Sequence, residues 1–263
     1  MTGPYADWFH DRTWGLGLAT VLELTPVERI VTPLQMIEVH AHARFGWVLV
    51  RDGALEAVEV DAAYREMIAH VPLLGRARDG ARVMILGGGD GGVLSEVLRH
   101  PFVAEVALIE PDRALIDVAA RHLGLGAAFD DPRVTVRLMT GEDALADARG
   151  ARFDVVIVDG AELPLDAALA VLSPGGAAVD SDGVVLSRTG PRFLRRPPPT
   201  VRTETYQALS PFAPGGHLAF FLATEDGTSL AAPVRLHAGQ HYDEAVHRAA
   251  FALPTWWRAE AAR

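Results

Sequence analysis

The chain contains no cysteine, which excludes a disulfide framework and any thiolate metal site. Lysine is absent as well, so all 24 residues counted as Lys+Arg are arginine, and catalysis through a lysine Schiff base or a P-loop lysine is excluded. No apolar run approaches the roughly 20 residues that span a bilayer, so no membrane association is expected. The opening residues, MTGPYADWFHDR, lack the apolar stretch of a signal peptide, and a cytoplasmic, reducing location is the expectation. Basic residues are outnumbered 34 to 24, giving a net charge of −10. That balance disfavours nucleic acid, which needs a basic face, and favours small cations such as amines or sulfonium compounds.

The residues that are present follow an α/β pattern. Between about Val27 and Val60 apolar and polar positions alternate, predicting a small antiparallel sheet with Asp52-Gly53 as a hairpin turn. From Ala62 to Leu74 the spacing becomes helical, and Arg76 to Gly80 reads as a charged loop. Beyond it lie four short apolar runs, Val83–Leu86, Val106–Ile109, Val134–Val136 and Val155–Val158, with helical stretches at Val93–Arg99 and Arg113–His122. This alternation predicts a parallel sheet wound with helices. Thr189 to Thr200, rich in Arg and Pro, reads as an irregular connection. The expected organisation is a small β unit over 1–60 and a Rossmann-like nucleoside-binding unit over 61–263.

The first of the four runs leads into Gly87-Gly88-Gly89-Asp90-Gly91-Gly92 and then into a helix, a layout in which glycines let a nucleoside approach the backbone at a strand end. Glu110 ends the next strand about 20 residues on, where a carboxylate can accept hydrogen bonds from both ribose hydroxyls. Asp90 places a negative charge where a diphosphate would sit, so a dinucleotide is disfavoured, whereas a cationic side chain on the nucleoside is favoured. The histidines, including His40, His42, His237 and His241, show no convincing ligand spacing with a carboxylate, and no metal is expected. Trp256-Trp257 reads as an aromatic packing patch, with a subunit contact as one use.

The stretch VMILGGGDGGVLSEVLRHP at 83–101 closely resembles the nucleotide-binding segment of the spermidine synthases and related polyamine aminopropyltransferases. The resemblance extends through Gln35, LVRDG at 49–53, Tyr64-Arg65-Glu66-Met67, FDDPRV at 129–134, FDVVIVD at 153–159 and VHRAAFALP at 246–254. It implies an S-adenosylmethionine-methyltransferase-type doubly wound sheet and a homodimer or homotetramer. The implied reaction is aminopropyl transfer from decarboxylated S-adenosylmethionine to a small-molecule amine, with no covalently bound cofactor. Gln35, Tyr64, Arg65, Gly87, Gly89, Asp90, Gly91, Glu110, Thr140, Gly141 and Asp159 are implied donor-site residues. Glu56, Glu162 and Tyr206 are implied on the acceptor side, with Asp159 and Glu162 as catalytic carboxylates.

Several positions depart from the family pattern. The second aspartate of its acidic pair is Glu162, its Tyr-His-Glu histidine is Arg65, its hairpin glutamine is Glu56, and the aspartate near the adenine amino group is Thr140. Only Leu165 to Leu172 stands where the family has a longer covering helix, so the acceptor pocket is expected to be remodelled or open. Arg65 also raises an alternative in which intact S-adenosylmethionine is the donor, its carboxylate meeting the guanidinium. A catalytically silent nucleoside-binding shell is the third possibility.

Overall fold

The structure, a computed structural model, describes residues 8–12, 19–76, 78–148, 150–160, 163, 165–187, 190–193, 203–255 and 257–258. Two short strands, β1 (Phe9–Asp11) and β2 (Thr20–Leu22), pair antiparallel. A four-stranded antiparallel sheet follows from β3 (Thr25–Val31), β4 (Met36–His42), β5 (Gly46–Arg51) and β6 (Ala54–Val58), paired in chain order. Between β5 and β6, Asp52 and Gly53 have φ of 50° and 82°, the left-handed pair that a two-residue hairpin needs to match strand twist. The hairpin predicted there is therefore present.

Helix α1 (Ala62–Gly75) starts where the Asp61 carboxylate accepts from the Ala63 N–H. The main sheet comprises β7 (Ala81–Gly87), β8 (Val103–Ile109), β9 (Val134–Arg137), β10 (Phe153–Asp159), β11 (Leu172–Ser187), β12 (Gly190–Phe193), β13 (Thr203–Leu209) and β14 (His217–Thr224). Its order is β13-β14-β11-β10-β7-β8-β9, with β12 hairpinned onto β11. Strands β9, β8, β7, β10 and β11 run parallel, and β14 is inserted antiparallel between β11 and β13. The helices between and after these strands are α2 (Gly92–Leu98), α3 (Arg113–Val118), α4 (Gly126–Phe129), α5 (Gly141–Asp147), α6 (Leu165–Leu169) and α7 (Glu244–Ala250). Helix α3 runs on into a π-helical turn at Ala119–Leu123.

The central strands are almost uninterrupted apolar runs because both faces of the sheet are covered. On one face Val83, Ile85, Val106 and Ile157 pack against Met67 and Leu74 of α1 and Leu94 and Val97 of α2. On the other, Met84, Leu86, Val156 and Val158 meet Ala144 and Leu145 of α5 and Leu165 and Ala168 of α6. Each such aliphatic side chain contributes roughly 1.5–3 kcal/mol by leaving water. The small sheet joins through Ile37, Val39 and Leu49, which pack on Leu115, Val118 and Leu123.

Ser173-Pro174-Gly175-Gly176 forms a bulge inside β11, between Leu172 opposite Phe153 and Ala177 opposite Val155. Within the stretch read as an irregular connection, residues 190–193 are strand β12; Thr189 and residues 194–200 lie outside the described residues. Trp257 is not a surface patch but is buried in the chain's own core with Ala219 and Leu253, while Trp256 lies outside the described residues.

Candidate active site

The parallel strands place the ends of β7, β8 and β10 side by side, and the chain order reverses between β7 and β10, which opens a crevice at their carboxyl ends. The glycine loop after β7 lies in that crevice. A Cβ on Gly88 would come within 2.6 Å of Asp159 Oδ2, and one on Gly89 within 2.6 Å of the Glu110 side chain. Glycine is required at both positions because the loop must approach two carboxylates this closely. Gly91 caps α2 at φ 79°, and the Gly92 N–H donates to Asp90 Oδ1 at 2.9 Å. The loop thus turns Asp90 towards the crevice.

Two cavities meet there. The smaller, about 280 Å³, is bounded by Trp47, Glu56, Tyr64, Arg65, Asp90 and Phe212, among others. The other, about 310 Å³, is bounded by Arg51, Gly87, Glu110, Thr140 and Gly141. Asp159 and Gly160 line both. Thr140 caps α5, its hydroxyl accepting from the Asp143 N–H at 3.2 Å and donating to Asp143 Oδ2 at 2.7 Å.

Burial, then the neighbouring Asp90 carboxylate, pushes the Asp159 carboxyl up to about 8. Tyr64 acts the other way, its hydroxyl donating to Asp159 Oδ1 at 2.7 Å. Asp90 is raised as well, by burial, with the Gly92 N–H opposing. Each of two buried carboxyl groups that repel one another resists ionisation, and a cation between them would favour the charged form of both. Glu110 is raised by burial and held by the N–H groups of Asp112 at 2.8 Å and Gly89 at 3.2 Å.

Some implied residues stand elsewhere. Gln35 lines neither cavity; its amide oxygen accepts from Arg51 Nε at 2.7 Å and its nitrogen donates to Asp112 Oδ2 at 2.9 Å. It therefore positions Arg51. Arg65 does line the smaller cavity, but its guanidinium is engaged by the carbonyls of Glu59 and Asp61 and lies 3.6 Å from Glu96. Tyr206, expected beside the acceptor, is instead a core residue in the middle of β13, fully buried, stacked on Phe220 and donating to the Met67 carbonyl at 3.0 Å. The physical reason is its register, which points the ring under α1. Glu162 lies outside the described residues.

Among the lining residues that sequence reasoning missed are Arg51, Trp47 and Phe212. Arg51 stands in LVRDG, read as a hairpin and as part of the family resemblance but given no role in the site. Its Nη1 donates to Glu56 Oε1 at 2.9 Å, so the pair spans from one cavity to the other.

A mostly parallel sheet with the antiparallel strand β14 inserted between β11 and β13 defines the methyltransferase-type fold class. A solved spermidine synthase from Thermotoga maritima has the same fold, with a TM-score of 0.81 over 97% of this chain and 94% of that one, at 23% identity. Residues 61–192 match the spermine/spermidine synthase domain family. A spermidine synthase of Dictyostelium discoideum is 35% identical over 80% of this chain and 81% of its own length. A polyamine aminopropyltransferase of Archaeoglobus fulgidus is 32% identical over 96% of this chain and 97% of its own. The chain belongs to the spermine/spermidine synthase family.

Proposed function

We propose that this protein transfers an aminopropyl group from decarboxylated S-adenosylmethionine to an amine, releasing methylthioadenosine. Membership of the family supports the reaction class, and the paired buried carboxylates Asp90 and Asp159 at the meeting of two cavities carry the assignment of roles. The nucleoside occupies the cavity of Gly87, Thr140 and Gly141, with Glu110 accepting from the ribose hydroxyls; Gly89 and Gly91 shape the loop. The donor's ammonium is held by Asp90 and Asp159. The acceptor enters the cavity of Glu56, Tyr64 and Arg65, its body against Trp47 and Phe212.

An acceptor amine with a solution pKa near about 10 must be deprotonated before it attacks. Asp159, ionised once the donor is bound, takes that proton. The amine nitrogen then forms a bond to the carbon beside the sulfonium; the C–S bond breaks, and its electron pair neutralises sulfur as a thioether. No acid is needed for the leaving group. Glu162 serves the same proton transfer in this reading, as the remaining carboxylate of the family's acidic pair. The units over 1–60 and 61–263 close on the two cavities from opposite sides, and the protein acts in the cytoplasm as a homodimer or homotetramer on small molecules.

The test is release of methylthioadenosine from decarboxylated S-adenosylmethionine with a panel of diamines and polyamines. Asp90→Asn and Asp159→Asn each lower kcat/KM by about 100-fold or more, and Glu162→Gln lowers turnover with donor affinity preserved. Absence of turnover with every amine defeats the assignment.

A further inference from the structure

The Arg51 guanidinium is the feature that aminopropyl transfer leaves unexplained. It lines the nucleoside-side cavity together with Gly87, Glu110 and Asp159, and its side chain is only a quarter exposed. A Cβ on Gly160, which with Asp159 is common to both cavities, would lie 3.5 Å from Arg51 Nη1. Burial acts against its charge, and Glu56, Glu110 and Asp90 together outweigh that, so it is a held cation among carboxylates. Nε is engaged by Gln35 and Nη1 by Glu56. Nη2 has no hydrogen-bond partner among the described residues, and the side chain that carries it lines the crevice.

The decarboxylated donor is positively charged at both sulfur and nitrogen, and nothing in it pairs with a guanidinium. An α-amino acid head carries an ammonium and a carboxylate on one carbon. Asp90 and Asp159 match the first, and an arginine within electrostatic reach of both matches the second. We propose that Arg51 sets donor selection in this site by binding the α-carboxylate of intact S-adenosylmethionine, so that the nucleoside cavity accepts the carboxylated compound alongside the decarboxylated one. Arg65, the other arginine at the crevice, already has backbone carbonyls and Glu96 as partners and is not needed for this role.

The inference rests on the donor-site assignment above, and calorimetric titration separates the two. The full chain is titrated with S-adenosylmethionine, its decarboxylated form and methylthioadenosine, which has neither ammonium nor carboxylate. The parent binds intact S-adenosylmethionine at least as tightly as the decarboxylated form. Arg51→Met weakens intact S-adenosylmethionine by roughly tenfold or more, keeps methylthioadenosine within about twofold, and leaves the decarboxylated form equal or tighter. The double variant Arg51→Met/Glu56→Gln, which leaves no unpaired Glu56, gives the same ratios. Retained methylthioadenosine binding reports that either variant is folded. A parent that binds the decarboxylated form but not the intact one overturns the inference whatever the variants do, as does a variant whose three affinities fall together. Failure of the parent to bind methylthioadenosine overturns the donor-site assignment and this inference with it.

Discussion

Single residues at strand ends were the most legible part of the site. Glu110 was identifiable because an apolar run ending in a carboxylate fixes where the side chain emerges, at the carboxyl edge of a parallel sheet, Asp90 because it stands inside the glycine loop, and Asp159 through the family resemblance. Arg51 was not, because the alternation of β5 tells which face it shares but not that the small sheet folds that face over the crevice. Tyr206 failed for the matching reason: its register against Phe220 is set by pairing with the neighbouring β14, not by the pattern of β13 itself. Tyr64 supplies a test at this scale. Its hydroxyl favours the ionised form of Asp159, so Tyr64→Phe raises that carboxyl further. Since the proton acceptor must be ionised, the acid limb of the kcat/KM profile moves to higher pH, by up to about one unit, in pH–rate measurements on the variant.

At the level of elements, the four apolar runs became β7, β8, β9 and β10, and for the central β7, β8 and β10 a strand covered on both faces has little choice of composition, whereas β9 is a half-buried edge strand. Strand β11 was harder to read: Pro174, Gly175 and Gly176 are turn residues, and only pairing on both sides accommodates them as a bulge. The motif Tyr64-Arg65-Glu66 shows how a residue can be recognised and its work still missed. Glu66, almost fully buried on α1, accepts the N–H groups of Gln240, His241 and Tyr242 at 2.8, 2.9 and 2.7 Å, and so ties the segment before α7 to the helix. A Cβ on Gly239 would collide with the same carboxylate. Glu66→Ala leaves three backbone donors without their acceptor and destabilises the fold by about 3 kcal/mol or more, measured by urea unfolding; Glu66→Gln retains part of that loss.

Over the whole molecule, sheet class and the small antiparallel unit were legible from periodicity, whereas the positions of the histidines were not, since they come together from distant segments. His70 of α1, His100 after α2 and His237 before α7 stack edge to face with ring centres 4.6–4.9 Å apart, beside Glu96 and Arg99. Burial, with His70 and His237, lowers His100 to about 3, and burial lowers His237 as well. A histidine depressed in the folded state contributes stability that is complete above its unfolded value near 6.5 and is lost as pH falls towards the folded value. The raised carboxyls Asp90, Asp159 and Glu110 act in the opposite sense, so the histidine contribution is read as a difference between variants. His100→Gln loses less stability than the parent between pH 7 and pH 5 in urea unfolding; parallel losses in the two proteins contradict the depressed titration. The wall common to both cavities has a kinetic outcome of its own. Asp159 lines both cavities, so in the proposed roles a cationic donor and a cationic acceptor compete for its charge, while methylthioadenosine leaves that charge free. The acceptor amine therefore associates more tightly with the product complex than with the donor complex, and high amine concentrations trap the enzyme in a dead-end ternary state, producing substrate inhibition that is relieved by added donor.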